Sequence, residues 1–287
     1  MGRYRKILVG FDGSLSSKNA LRQAIKFARQ EKCWIKALAV APSYEGELEL
    51  VGVRNMKEAL RGPAERLLKE ALEIAEAERA SIMTGVEEGP PHERIVEVAQ
   101  TENCDLIVVG RMGRGPLERT LLGSTAARVI GHSGKDVLIV PRNAQLSWES
   151  ILLSIDGSRY SEAASRHAID FARSYGGRIS AVSVVDVTDE FIAEAPEILD
   201  KLLEKHRAIL DGVRKEAEAA GLQVKTFLKE GDPSTKVLEV AGAEKAGVIF
   251  MGSHGRTGLM RLLMGSVTEK VIGYAPCPVI VVRPDGS

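Results

Sequence analysis

Apolar positions along this chain recur in two alternating patterns. Short, mostly apolar runs bounded by glycine, proline or polar clusters read as buried strands: Lys6–Phe11, Trp34–Ala41, Ser81–Glu87 (the weakest), Cys104–Val109 and Asp136–Pro141. Between them apolar residues fall at helical spacing. One such segment carries Ala20, Leu21, Ala24, Ile25, Phe27 and Ala28, with Ser16 or Ser17 as its cap. A second carries Leu67, Leu68, Ala71, Leu72 and Ala75 and opens at Pro63, since proline suits a first helical turn. Ile95, Val98 and Ala99 mark a third, after Gly89-Pro90-Pro91, and Ser124–His132 a fourth. The stretch 44–62 gives no period, because Gly46, Gly52 and Gly62-Pro63 interrupt it. Strands alternating with helices predict an α/β fold: a parallel sheet with right-handed crossovers and helices on both faces.

The pattern then repeats. Glu149–Ser158 follows Arg5–Ser14 at an offset of 144, and Asp156-Gly157-Ser158 restates Asp12-Gly13-Ser14. Gly252 follows Gly110 by 142 residues, as Gly265 follows Gly123 and Pro233 follows Pro91. A period this long means tandem domains rather than a solenoid, with residues 1–144 as one and 145–287 as the other. The second copy differs in one continuous helical pattern, Pro196–Ala220, with Leu199, Leu202, His206, Ile209, Val213 and Ala217 on one stripe and a stop at Gly221. His206 reads as a packed or half-exposed histidine there.

Composition narrows the function classes. Lys+Arg and Asp+Glu are both 39, so no global charge draws the chain to nucleic acid or to an anionic membrane. No apolar stretch reaches the roughly 18 residues of a membrane span, and the N-terminus, basic and followed by a very short apolar run, has no secretory signal pattern. Cys33, Cys104 and Cys277 form no C-x-x-C pair, which favours reduced, structural thiols. A soluble, cytoplasmic protein is expected.

Chemistry concentrates after the fourth strand of each copy. Gly110, Gly113 and Gly123-Ser124 follow one apolar run; Gly252, Gly255 and Gly265-Ser266 follow the other. Strand, glycine loop and helix start together suit an anion: glycines let the backbone come close, and the helix N-terminus offers N–H groups. There is no Walker P-loop, no third glycine for a dinucleotide fingerprint, no H-E-x-x-H and no Cys/His zinc cluster. Arg114 and Arg256 lie where they would screen phosphate charge.

G-x-x-G, nine residues, then G-S, with Asp12 or Asp156 ending the first strand, resembles the universal stress protein family over nearly the whole chain. The resemblance implies two tandem Rossmann-like domains of the adenine nucleotide alpha hydrolase-like type, each with strand order 3-2-1-4-5. Strands 1 and 4 then flank the ligand crevice at the switch point. In ATP-binding members the loop wraps phosphates and ribose, the helix-start serine bonds a phosphate, and the strand-1 aspartate and a strand-2 valine hold the adenine side. The matching positions are Asp12, Val40, Gly110, Gly113, Gly123 and Ser124, with Gly10, Arg111, Met112, Arg114, Gly115 and Thr125 beside them. In the second copy they are Asp156, Val184, Gly252, Gly255, Gly265 and Ser266, with Ser154, Ser253, His254, Arg256, Thr257 and Val267 beside them. The first copy departs from the second in Arg111-Met112, which replace Ser253-His254, and in Pro116.

The expected cofactor is ATP, with Mg2+ bridging its phosphates through few protein ligands and no dedicated metal site. The expected activity is nucleotide-dependent binding in stress response or signalling. No base, lysine clamp or arginine finger argues for efficient hydrolysis, so at most slow ATPase activity is expected. Two alternatives stand: an ATP-hydrolysing or adenylyl-transferring enzyme, and an interaction module with vestigial sites. Family dimers pair through the last strand, so Val137–Val140 and Val279–Val282 are expected to join the halves as an intramolecular pseudo-dimer, with further homodimerisation left open.

Overall fold

The computed structural model describes residues 4–43, 56–113, 122–255 and 264–284. Stretch 44–55, Arg114, Gly115, Pro116, Arg256 and Thr257 lie outside them. The chain divides into two compact units, Met1–Asn143 and Ala144–Ser287.

In the first unit the elements are β1 (Lys6–Gly10), α1 (Leu15–Glu31), β2 (Trp34–Ala41), α2 (Met56–Ala77), β3 (Met83–Glu88), α3 (Pro91–Thr101), β4 (Leu106–Gly110), α4 (Ser124–His132) and β5 (Asp136–Val140). All pairings are parallel: β1 lies between β2 and β4, β3 flanks β2, and β5 flanks β4. The order is therefore 3-2-1-4-5. The second unit repeats it with β6 (Ser150–Ser154), α5 (Arg159–Tyr175), β7 (Arg178–Val185), α6 (Asp189–Glu194), α7 (Pro196–Ala219), β8 (Val224–Glu230), α8 (Pro233–Ala243), β9 (Val248–Gly252), α9 (Ser266–Tyr274) and β10 (Val279–Val282). There β6 lies between β7 and β9, β8 flanks β7, and β10 flanks β9.

The central strands are apolar because both faces are covered. Ile7, Leu8, Val9, Leu106, Ile107 and Val108 are fully buried in the first unit, as are Ile151, Leu152, Leu153, Val248, Ile249 and Phe250 in the second. Among the described residues no helix is long and apolar enough to cross a membrane.

Two local expectations need correction. The cap of α1 is Ser14, whose hydroxyl accepts from Ser17 N at 3.1 Å; Ser16 and Ser17 are already helical and buried. The Asp12 carboxylate accepts from Ser14 N at 2.9 Å, and Gly13 at φ 74° lets the chain make that turn. The second correction is Pro63, which sits inside α2 rather than opening it. Its missing N–H removes a single helical bond, and the helix continues through it. Helix α6, ahead of the predicted long helix, is a further element that the apolar spacing did not disclose; Thr188 caps it.

Candidate functional site

Each unit makes the same turn at the C-terminal end of its central strands. In the second unit Asp156 follows β6, its Oδ1 accepts from Ser158 N at 3.0 Å, and Gly157 has φ 79°. Ser158 caps α5 by accepting from Ser161 N at 3.2 Å. The strand-1 aspartate is thus fixed by its own turn, while its other oxygen meets the glycine loop. A Cβ on Gly255 would lie 2.8 Å from Asp156 Oδ2, and one on Gly113 would lie 2.9 Å from Asp12 Oδ2. Asp12 with Gly113, and Asp156 with Gly255, therefore share one corner, as the strand order requires.

The loop is closed by one backbone bond in each unit: Gly123 N donates to Arg111 O at 2.8 Å, and Gly265 N donates to Ser253 O at 2.9 Å. Helices α4 and α9 then start at Gly123 and Gly265 with no side-chain cap. That leaves their first-turn N–H groups to face whatever enters the loop.

The loop glycines serve different ends. Gly252 and Gly110 are demanded by packing. A Cβ on Gly252 would lie 2.6 Å from Tyr160 Cβ and 2.8 Å from its backbone carbon; on Gly110 it would lie 2.7 Å from the Ser16 and Ser17 backbone. Helices α5 and α1 begin against these strand ends, so there is no room for a side chain. Gly265 is different. Among the described residues a Cβ there would meet nothing closer than 3.6 Å, and its φ of −69° suits any residue.

In the second unit these groups surround a cavity of about 350 Å3. Ser154, Asp156, Val184, Gly252, His254, Gly255, Gly265, Ser266 and Val267 line it, so nine of the positions singled out in the sequence meet there. Ser253 is fully buried behind them, with its hydroxyl 3.1 Å from His254 Nδ1. The His254 ring leans on Tyr160 with centroids 5.4 Å apart. Thr268, one turn into α9, donates to Gly252 O at 3.0 Å and ties the helix back to β9.

Several lining residues escaped the sequence reading: Leu202 and His206 from α7, Pro233 and Val237 from α8, and Val185 and Asp186 from the end of β7. The α7 pair belonged to a stripe whose spacing reads only as core. Its one anomaly, a histidine among aliphatics, was the available signal. His206 is 5% exposed and bonds Ser183 Oγ at 2.9 Å.

In the first unit Gly10 and Val40 are half-buried at the ends of β1 and β2, with Asp12 next to them. Arg111 and Met112 are half-buried at the loop, and burial pulls the Arg111 guanidinium below its usual pKa range. Ser14 Oγ donates to Met112 O at 3.2 Å. Ser124 is exposed at the start of α4, beside half-buried Thr125. Gly123 is tighter than Gly265, since a Cβ would stand 3.3 Å from Arg111 O. Cys104 and Cys277 are buried, and burial raises both thiols, Cys277 to about 12. Among the described residues no cluster of His, Cys, Asp and Glu is arranged to hold a metal.

Fold and site together define an α/β protein that builds the same strand order and the same glycine turn at its switch point twice, with a cavity described beside the second. The chain belongs to the universal stress protein family, whose model matches residues 3–141 and again 147–283. Universal stress protein MJ0531 of Methanocaldococcus jannaschii is 40% identical over 147 residues, half of this chain and 86% of that protein. A universal stress protein of Mycolicibacterium smegmatis is 29% identical across 97% of both chains. The crystal structure of a universal stress protein from Archaeoglobus fulgidus superposes with a TM-score of 0.76 over 97% of this chain and 98% of its own, at 23% identity, which supports the fold.

Proposed function

We propose that the chain is an ATP-binding universal stress protein, a nucleotide-dependent binding module in stress response or signalling, with the second unit as its main site. The observation that carries this is Gly265. The described residues around it leave ordinary room for a side chain there, yet the position is glycine, it lines the cavity, and it precedes a helix with no side-chain cap. An anion lying against that backbone accounts for the missing Cβ. Two strand spacings away, roughly 10 Å, Val184, Val185 and Leu202 form an apolar end suited to a base. The cavity volume falls in the range of about 300–1,000 Å3 usual for small-molecule sites.

The same proposal has the site hold ATP rather than cut it, with Mg2+ carried on the phosphates. No lysine or arginine is among the described lining residues, and His254 is a loop residue leaning on Tyr160. The apolar strands β5 and β10, each the last strand of its own unit, are proposed to join the halves, since such strands left open are prone to pair with other chains.

Isothermal titration of the full chain with ATP tests this. Binding at micromolar to sub-millimolar ligand is expected, and Gly265→Ala is expected to weaken it about tenfold, the equivalent of roughly 1.4 kcal/mol. No binding at millimolar ATP, with an unchanged melting temperature, would favour vestigial sites instead. Multiple-turnover release of ADP or AMP that Gly265→Ala abolishes would replace the binding reading with an enzymatic one.

A further inference from the structure

The rim of the second cavity carries a carboxylate that the fold itself does not use. Asp186 is the first residue past β7; it is exposed, and it lines the cavity with Val184 and Val185. Among the described residues its side chain takes part in no hydrogen bond or ion pair. Other aspartates at this end of the sheet have structural work: Asp156 accepts from Ser158 N at 3.0 Å, and Asp232 accepts from Thr235 N at 2.8 Å. Asp186 has none to do. Helix α6, the next element, is capped by Thr188, whose hydroxyl accepts from Phe191 N at 3.3 Å.

The end of β7 is also fixed without that side chain. Gly231 N donates to Val185 O at 3.0 Å, as Gly89 N donates to Ala41 O at 3.0 Å in the first unit. Those matching bonds align Asp186 with Pro42, which has no side-chain acceptor. The same backbone therefore forms with or without a carboxylate at this corner.

A carboxylate accepts hydrogen bonds and donates none. Adenosine offers it two kinds of donor, the 6-amino group and the 2′- and 3′-hydroxyls of the ribose. Val184, Val185 and Leu202 make the apolar end that suits the base, whereas Asp186 stands in solvent at the rim. It lies two residues beyond Val184, up to roughly 7 Å along the chain, about the step from a base to the hydroxyls of its sugar. Two adjacent hydroxyls match two carboxylate oxygens, and dinucleotide folds read a ribose hydroxyl with an acidic side chain in the same way. Phosphates at the start of α9 would lie two strand spacings off, roughly 10 Å. That is about one Debye length, so the exposed carboxylate repels them little.

Taking the nucleotide reading as its premise, we infer that Asp186 is a specificity residue of the second site, accepting hydrogen bonds from the ribose hydroxyls of the bound nucleotide. The second site thereby selects ribonucleotides over deoxyribonucleotides. A site in the first unit, with Pro42 at this corner, discriminates less.

The test is a cycle of calorimetric titrations on the full chain, with ATP and 2′,3′-dideoxy-ATP against the unaltered chain and Asp186→Ala. The unaltered chain is expected to favour ATP about tenfold at the second site. Asp186→Ala, at an exposed position, is expected to bring ATP down to the dideoxy level and to leave the dideoxy affinity unchanged. Equal affinity of the unaltered chain for both ligands, or an equal change in both with the variant, overturns the assignment and leaves nucleotide binding intact. Purine riboside 5′-triphosphate, which lacks the 6-amino group, separates the two donors. An Asp186→Ala effect that disappears with this analogue and persists with the dideoxy ligand moves the contact to the base and overturns the ribose assignment. Failure of ATP and its analogues to bind the unaltered chain overturns both readings.

Discussion

The two units of this chain share a backbone and disagree about what to place on it. Both turn at Asp-Gly-Ser, both close the loop with one N–H to carbonyl bond, and both start a helix at glycine without a cap. Behind the loop, however, the first unit has Ser16 and half-buried Arg111 and Met112, while the second has Tyr160, fully buried Ser253, and His254 against the tyrosine ring. Below the sheet the first unit buries a polar pair, Tyr4 donating to Asp136 at 2.8 Å. At the position matching Tyr4, the second stacks Trp148 on Phe171 and Tyr175 with centroids 4.5 and 5.2 Å apart. What recurs is what the backbone cannot do without. What differs is where side chains are free to set stability and ligand preference.

The sharpest way to break that division lies at Gly177, whose counterpart is Cys33. A Cβ on Gly177 would stand 1.8 Å from the carbonyl oxygen of Trp148, and the Trp148 stack holds that carbonyl in place. Gly177→Ala is expected to cost about 3 kcal/mol or more through overpacking. Cys33→Ala, at a half-buried position that already carries a Cβ, is expected to cost under about 1 kcal/mol. Urea denaturation of both variants checks this, and equal losses would mean the matching corners are packed alike.

Next in size is a contrast within one loop. Gly252→Ala drives a Cβ into the first turn of α5 at 2.6 Å and is expected to lower stability by about 1–3 kcal/mol. Gly265→Ala finds only ordinary contacts among the described residues and is expected to leave stability within about 0.5 kcal/mol while reducing nucleotide affinity. Paired thermal melts and titrations separate the two. A large stability loss in Gly265→Ala would make that glycine structural and remove the observation on which the binding reading rests.

Much of this was legible in the sequence because it is local. Asp-Gly-Ser turns, apolar strand runs and the glycine spacing each lie within a few residues, and their repetition exposed the tandem architecture before any contact was known. The part that was not legible depends on distance along the chain. Nothing near Gly252 announces that Tyr160 occupies its side-chain space. Ser183 and His206 are 23 residues apart and meet only because α7 crosses back over β7. On its stripe His206 looked like core, and it is core as well as cavity wall. Pro63 misled for the opposite reason: a local preference for first turns yielded to a helix that runs on through it.

The smallest expected effect concerns the matched helix starts, α3 and α8. Pro90 opens α3 without a side-chain cap, whereas Asp232 caps α8 by accepting from Thr235 N and Thr235 Oγ1, both at 2.8 Å, and from Ser234 Oγ. Those bonds, the one from Ser234 first, hold the Asp232 carboxyl well below the usual carboxylate range. Its side chain is 48% exposed, so solvent screens most of the electrostatic benefit. The loss in Asp232→Ala is therefore that of a helix cap, about 1 kcal/mol at neutral pH. The sign with pH follows from the depressed value. The contribution is complete above the unfolded carboxyl pKa of about 3.9 and is lost as pH falls toward the folded value. Melting curves of the unaltered chain and of Asp232→Ala should therefore lie apart at neutral pH and converge in acid. Curves that coincide at every pH would show that α8 needs its cap no more than α3 does, and the units would then differ at this corner in sequence only.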